Sequence, residues 1–175
     1  MKKICSVILC LCAVFSIVAC GKAKFDLPAY KQSAAVVVSE IMDNAVSVGN
    51  IAQYESNYVE AYRKISGNRP GAEDAFNKAI KWFEKEQSLT WDNVVAKNDT
   101  LTSDYSAFVA LDAASSDEAS DIQGKVKILY ETYFSLYNSI ELAAVSDWSE
   151  KILSMYEDAK LLQSIYLPEY LDPIE

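Results

Sequence analysis

The chain has no histidine in 175 residues. That absence removes His-assisted nucleophile triads, His-ligated haem, the common zinc sites and the Glu-x-x-His pairs of di-iron bundles. Glycine and proline are scarce, at five and four residues, while 51% of the chain is apolar, so the composition is that of a packed domain and not of a disordered one. Positive charge is short: 16 Lys+Arg stand against 25 Asp+Glu, a formal net charge of −9. With no basic surplus to neutralise phosphates, a nucleic-acid partner is not expected. Cysteine is missing after position 20, because Cys5, Cys10, Cys12 and Cys20 all lie in the first twenty residues. The body therefore has no disulfide available and depends on packing. The length suits one domain.

What is present begins with a leader. Met1-Lys2-Lys3 is a basic start, and Ile4 to Val18 is an almost unbroken apolar run. The run falls short of the ~20 residues that cross a bilayer core as a helix. Basic flank, length and small residues near position 19 predict a cleaved secretory signal over residues 1–19. Ile17-Val18-Ala19-Cys20, followed by Gly21, resembles the lipobox of bacterial lipoproteins, with aliphatic residue, small residues and Cys in the family's order. The resemblance implies cleavage between Ala19 and Cys20, a diacylglyceryl group on the Cys20 sulfur, and palmitate-type acylation of the new amine. Two or more chains, at about 0.8 kcal/mol per buried CH₂, hold a protein stably where one does not. An ordinary cleaved leader would instead strand a lone thiol in an oxidising compartment, and an uncleaved helix lacks length. Gly21 is not the Asp that marks inner-membrane retention in the enterobacterial branch. The implied address is the outer membrane, facing the periplasm, in a two-membrane cell, and otherwise the outer face of the cell membrane.

Residues 20–27 form the lipidated tether, and the stretch from Gly21 to Leu27 reaches at most ~25 Å. Lys22 and Lys24 lie close to headgroups, each worth about 1 kcal/mol of attraction to anionic lipid. The chain after cleavage keeps 14 basic and 25 acidic side chains, a charge of −11, so the body is repelled from the same surface.

Helical periodicity dominates residues 28–167. Tyr30, Ala34, Val37, Ile41, Ala45, Val48, Ala52, Tyr58, Tyr62 and Ile65 recur mostly at 3–4 spacing, predicting a helix over 28–66 with a bend at Gly49 and an end at Gly67. A second helix starts near Ala72 and fades between Val95 and Asn98. Residues 98–117 read as a crossover with one short helix near 104–112. Ile122, Val126, Leu129, Tyr133, Leu136, Ile140 and Ala143 form a heptad seam for a third helix, begun by Ser115 and Glu118 at capping-box spacing. A fourth runs from an Asp147 cap through Trp148, Ile152, Met155, Ala159, Leu162 and Tyr166, and Pro168 stops it, leaving 168–175 as a tail. The predicted fold is all-α: a four-helix, mostly antiparallel bundle with a long crossover between two helical hairpins.

Little in this body carries chemistry. Asp112, Asp117, Glu118 and Asp121 do not follow the alternating order with central glycine of a calcium loop, and read as a solvated, helix-capping patch. Glu55-Ser56 resembles the Glu-Ser motif of soluble lytic transglycosylases, in which the Glu protonates a glycosidic oxygen. The family's Gly-rich continuation into Met-Gln is absent, and Asn57 onward keeps helical spacing. Eleven Tyr stand out. Tyr54, Tyr58 and Tyr62 are four apart, and Tyr130, Tyr133 and Tyr137 cover a face wider than the heptad seam needs. Tyrosine buries area while keeping a polar handle, so these stripes are either core and its wet margin or docking faces for a partner.

The expected function is that of a membrane-anchored, non-catalytic binding or scaffold lipoprotein with a protein partner or self-association, and with no metal or cofactor. The alternatives are a lipophilic-ligand carrier with an inter-helix cavity and a peptidoglycan-cleaving enzyme working through Glu55.

Overall fold

The computed structural model describes residues 25–140 and 148–171. Among them the chain is all-helical, with no strand: α1 (Leu27–Ser66), α2 (Ala72–Gln87), α3 (Trp91–Val109), a single 3₁₀ turn (Ala113–Ser115), α4 (Asp117–Ile140) and α5 (Trp148–Ile165). No helix among the described residues is long and apolar enough to cross a membrane.

Helix α1 organises the molecule. Its 40 residues make a rod about 60 Å long, and α2, α3, α4 and α5 all pack against it. The Asp26 side chain accepts a hydrogen bond from the Ala29 amide at 3.1 Å, tying down the first turn, and Pro28 sits where no amide donor is needed. At the other end Gly67 takes φ 73°, and its N–H donates to the Arg63 carbonyl at 3.0 Å. The left-handed conformation is cheap only without a Cβ, which is why the helix ends there.

Helix α1 runs on through Gly49 without a break. That glycine is buried, and the terminal methyl of Ile152 on α5 occupies the space where a Cβ would stand. Its lost helix propensity, about 1 kcal/mol relative to alanine, is offset by close approach of the two helices.

The predicted second helix is divided in two. Helix α2 stops at Gln87, Ser88 turns with φ 54°, and Thr90 opens a new helix with a full capping box to Asn93. Residues 98–109 belong to this α3 and not to a crossover, so among the described residues a fifth long helix stands where only a short one near 104–112 was expected. The segment is rich in Thr, Ser, Asp and Asn, which compete with helical hydrogen bonding. Here the hydroxyls fold back instead: Thr100, Thr102 and Ser106 donate to the carbonyls of Ala96, Asn98 and Thr102, each four residues earlier, at 2.7–3.1 Å. Tertiary burial of Val94, Asn98, Leu101 and Phe108 then holds the helix on α1.

Helix α4 buries the predicted seam, with Ile122, Val126, Leu129, Tyr133, Leu136 and Ile140 all wholly enclosed. Its first turn is capped by Ser116, whose hydroxyl accepts from the Ala119 amide, while Ser115 bonds to Asp112 instead. Ala143 and the Asp147 cap lie outside the described residues. After α5, residues 168–171 do not trail away. Buried Leu167 anchors a turn in which Tyr170 and Leu171 donate to its carbonyl, and Gln163 donates to the carbonyl of Leu171 at 3.2 Å.

Candidate functional site

Cys20 and Ala19 lie outside the described residues. The six tyrosines do not form one surface. On α4, Tyr133 has no exposed area and donates its hydroxyl hydrogen to Asn98 Oδ1 at 3.1 Å. Tyr130 stacks on Tyr105 with ring centroids 3.7 Å apart, and its hydroxyl reaches Thr102 at 3.3 Å. Tyr137 stacks on Trp91 at 5.9 Å. These three rings pack α4 against α3, Tyr130 and Tyr137 half-buried and Tyr133 with no surface to offer a partner.

The α1 stripe has another fate. Tyr54 packs edge-on against Trp82 of α2 at 5.5 Å, and Tyr58 donates to Asp74 of α2 at 2.6 Å while lying 6.0 Å from Tyr62. Glu55 is the last fully buried residue of α1. Beyond it cover thins along the apolar stripe: Tyr58 and Val59 are half-buried, Tyr62 is 38% exposed and Ile65 89% exposed, while Trp82, beside Tyr54, is 50% exposed. The α1–α2 hairpin thus runs out past the core.

Charge singles out the same place. Residues 61–72 contain Arg63, Lys64 and Arg69, and none of the chain's 25 acidic residues. Lys64 is paired with Glu60 at 2.6 Å, an exposed i,i+4 contact of small energetic weight. The hairpin tip is consequently an acid-free, partly apolar segment carrying Arg63 and Arg69, with Glu60, Glu73 and Asp74 at its borders, on a strongly acidic body.

Compared with protein-family models, curated proteins and solved structures, the chain matches none. Its functional reading therefore stands on geometry.

Two carboxyls are out of place. Glu55 is 1% exposed and neither oxygen has a hydrogen-bond partner, so burial pushes its pKa up to about 7. Both carboxyl oxygens are enclosed in this packing. Glu40 is half-buried where α1 meets α3. Burial, the neighbouring Asp104 with which it shares a hydrogen bond, and Asp43 together push its pKa up to about 7, and its Oε2 has no partner of its own.

Glu40 continues a polar seam between α1 and α3. Asn44 donates to the Lys97 carbonyl at 3.3 Å, and Asn98 accepts from Tyr133. Sequence reading missed the seam because the partner helix itself was not recognised. The usable signal was Thr90-x-x-Asn93, a cap pair embedded in a pattern that otherwise stays in register. No group of three or more acidic or Cys side chains among the described residues is arranged to hold a metal ion.

Proposed function

We propose that the protein is a non-catalytic binding lipoprotein of the cell envelope, held by acyl chains on Cys20 and presenting the tip of its α1–α2 hairpin to an acidic protein partner. The body is a mostly antiparallel helical bundle that sets the distance between anchor and tip. In a two-membrane cell it faces the periplasm from the outer membrane; otherwise it stands on the outer face of the cell.

One observation carries the reading: the apolar stripe of α1 continues past the core as Tyr62 and Ile65, within the acid-free segment that holds Arg63, Lys64 and Arg69. An exposed aromatic and aliphatic pair rimmed by cations has the composition of an interface centre, where Tyr and Arg are enriched. The location supports the same reading. The lipobox-like segment precedes the start of α1, and the tip is at its other end, about 60 Å along the rod, so a tether at Cys20 leaves the tip free to meet a partner.

The test is in-cell photo-cross-linking from position 65, with position 153 as control because Leu153 is 60% exposed on α5. A discrete adduct is expected from 65 and not from 153, and it is expected to vanish in an Ile65→Glu/Arg63→Glu variant of unchanged thermal stability. Equal labelling from both positions, or an adduct indifferent to the double substitution, removes the docking pole. Fractionation of Cys20→Ser tests the anchor separately: retention in the membrane fraction equal to the parent refutes it.

A further inference from the structure

A second concave feature lies in the first half of α1, well away from the hairpin tip. A groove of about 570 Å³ runs between α1 and the turn at residues 168–171, walled by Val36, Glu40, Met42, Asp43, Glu169 and Tyr170 among others. Its far wall is pre-formed, since that turn is held by Leu167 and by the Gln163–Leu171 hydrogen bond. The volume lies within the ~300–1,000 Å³ typical of small-molecule sites.

The lining is one-sided in charge. Three carboxylates face or rim the groove, from Glu40, Asp43 and Glu169, and none of its lining residues is basic. Behind Glu40 stands Asp104 of α3, another acid, and one Glu40 oxygen is buried without a hydrogen-bond partner. Between the carboxylates the walls are mixed, with Val36, Met42 and Tyr170 beside the neutral polar Gln32 and Ser39. An anionic ligand is repelled here, and a neutral one leaves the acids uncompensated as water leaves. A bare metal ion is disfavoured by the spacing, since no three acidic side chains of the described residues converge on one point.

We propose that this groove binds a small organic cation, an ammonium or guanidinium on an aliphatic or aromatic body, with Asp43, Glu169 and Glu40 supplying the charge and Val36, Met42 and Tyr170 the apolar wall. The titratable groups around Glu40 are Asp43 on α1, Asp104 on α3, and Glu169 and Tyr170 on the turn, and all of them favour a cationic guest. Glu40 loses its proton near pH 7 in the empty groove, so the guest is held more tightly above that pH than below it.

The experiment is calorimetric titration of the full acylated chain in nanodiscs of neutral lipid with phenethylammonium chloride, with empty nanodiscs subtracted. Saturable binding is expected at pH 8, several-fold weaker at pH 6, and reduced at least tenfold in Asp43→Asn/Glu169→Gln. Both substituted side chains are exposed, so the variant keeps the fold, which its unchanged melting temperature verifies. Parallel titrations use 2-phenylethanol and calcium chloride. Absence of saturable heat at pH 8 overturns the proposal, as does full binding by the double variant. Equal affinity for the alcohol makes the groove merely apolar, and tighter binding of calcium makes it a metal site; either result also overturns it.

Discussion

The hydroxyl of Tyr133 on α4 donates to the side-chain carbonyl of Asn98 on α3, 3.1 Å away, inside a core where Tyr133 has no exposed surface. The bond joins two helices whose backbones are kept apart by large rings, and it satisfies two buried polar groups at once. Burial pushes the Tyr133 pKa upward, so the phenol stays protonated as a donor at every physiological pH. Tyr133→Phe leaves the Asn98 oxygen enclosed and unpaired, at a cost of about 1–3 kcal/mol. Urea unfolding is the measurement. A companion Tyr133→Phe/Asn98→Leu variant is expected to be more stable than the sum of its single changes, and strict additivity would show that the pair is not coupled.

Glu55 makes stability depend on pH. Its folded pKa of about 7 exceeds the 4.5 of an ordinary Glu, so the folded state holds a proton that the unfolded state has released between those values. The Glu55 contribution is fully present below about pH 4.5 and is lost as pH rises through 7, by at most about 3.4 kcal/mol at 1.36 kcal/mol per unit. Glu55→Leu is expected to raise the melting temperature at pH 8 and to flatten the decline from pH 5 to 8. An unchanged pH profile in that variant would assign the decline elsewhere.

Glu40 and Asp104 press two acids together across the α1–α3 contact. Replacing Asp104 with Asn removes one negative charge and supplies an amide donor. The Glu40 carboxyl is then expected to titrate at lower pH, followed by carbon-13 NMR of the labelled carboxyl, and the protein to gain about 1 kcal/mol at pH 8. A Glu40 midpoint still near 7 would leave burial and Asp43 as the causes.

Gly49 holds space for Ile152. Gly49→Leu drives a side chain into that methyl and is expected to cost about 1–3 kcal/mol, the range for overpacking a filled core. Ile152→Ala in the same chain should recover part of the loss. If Gly49→Leu proves neutral in calorimetry, α5 is free to move outward and the close packing is not needed.

The heptad residues from Ile122 to Ile140 were legible because each local contact obeys helical geometry, and the structure buries all of them. The α2–α3 break was not legible. Gln87, Thr90 and Val94 keep 3–4 spacing across it, so periodicity passes through the break without a mark. The candidate sites were hidden for a related reason. Glu55 and Glu40 are ordinary polar letters on a helix until other helices cover them, and Tyr62 and Tyr133 look equivalent in a stripe although one is 38% exposed and the other sealed.

Composition and spacing thus determined by themselves that the body is helical, that it forgoes disulfides and histidine chemistry, and that a lipobox-like segment precedes it. Those properties depend on residue type and on neighbours within a turn or two. Only the tertiary structure decided which tyrosines become core, which carboxyls lose their water, and that the α1–α2 hairpin outruns its cover. Burial is set by residues distant in sequence: the desolvation that shifts Glu55, and the exposure that leaves Ile65 bare, are properties of what packs nearby and not of the residues themselves.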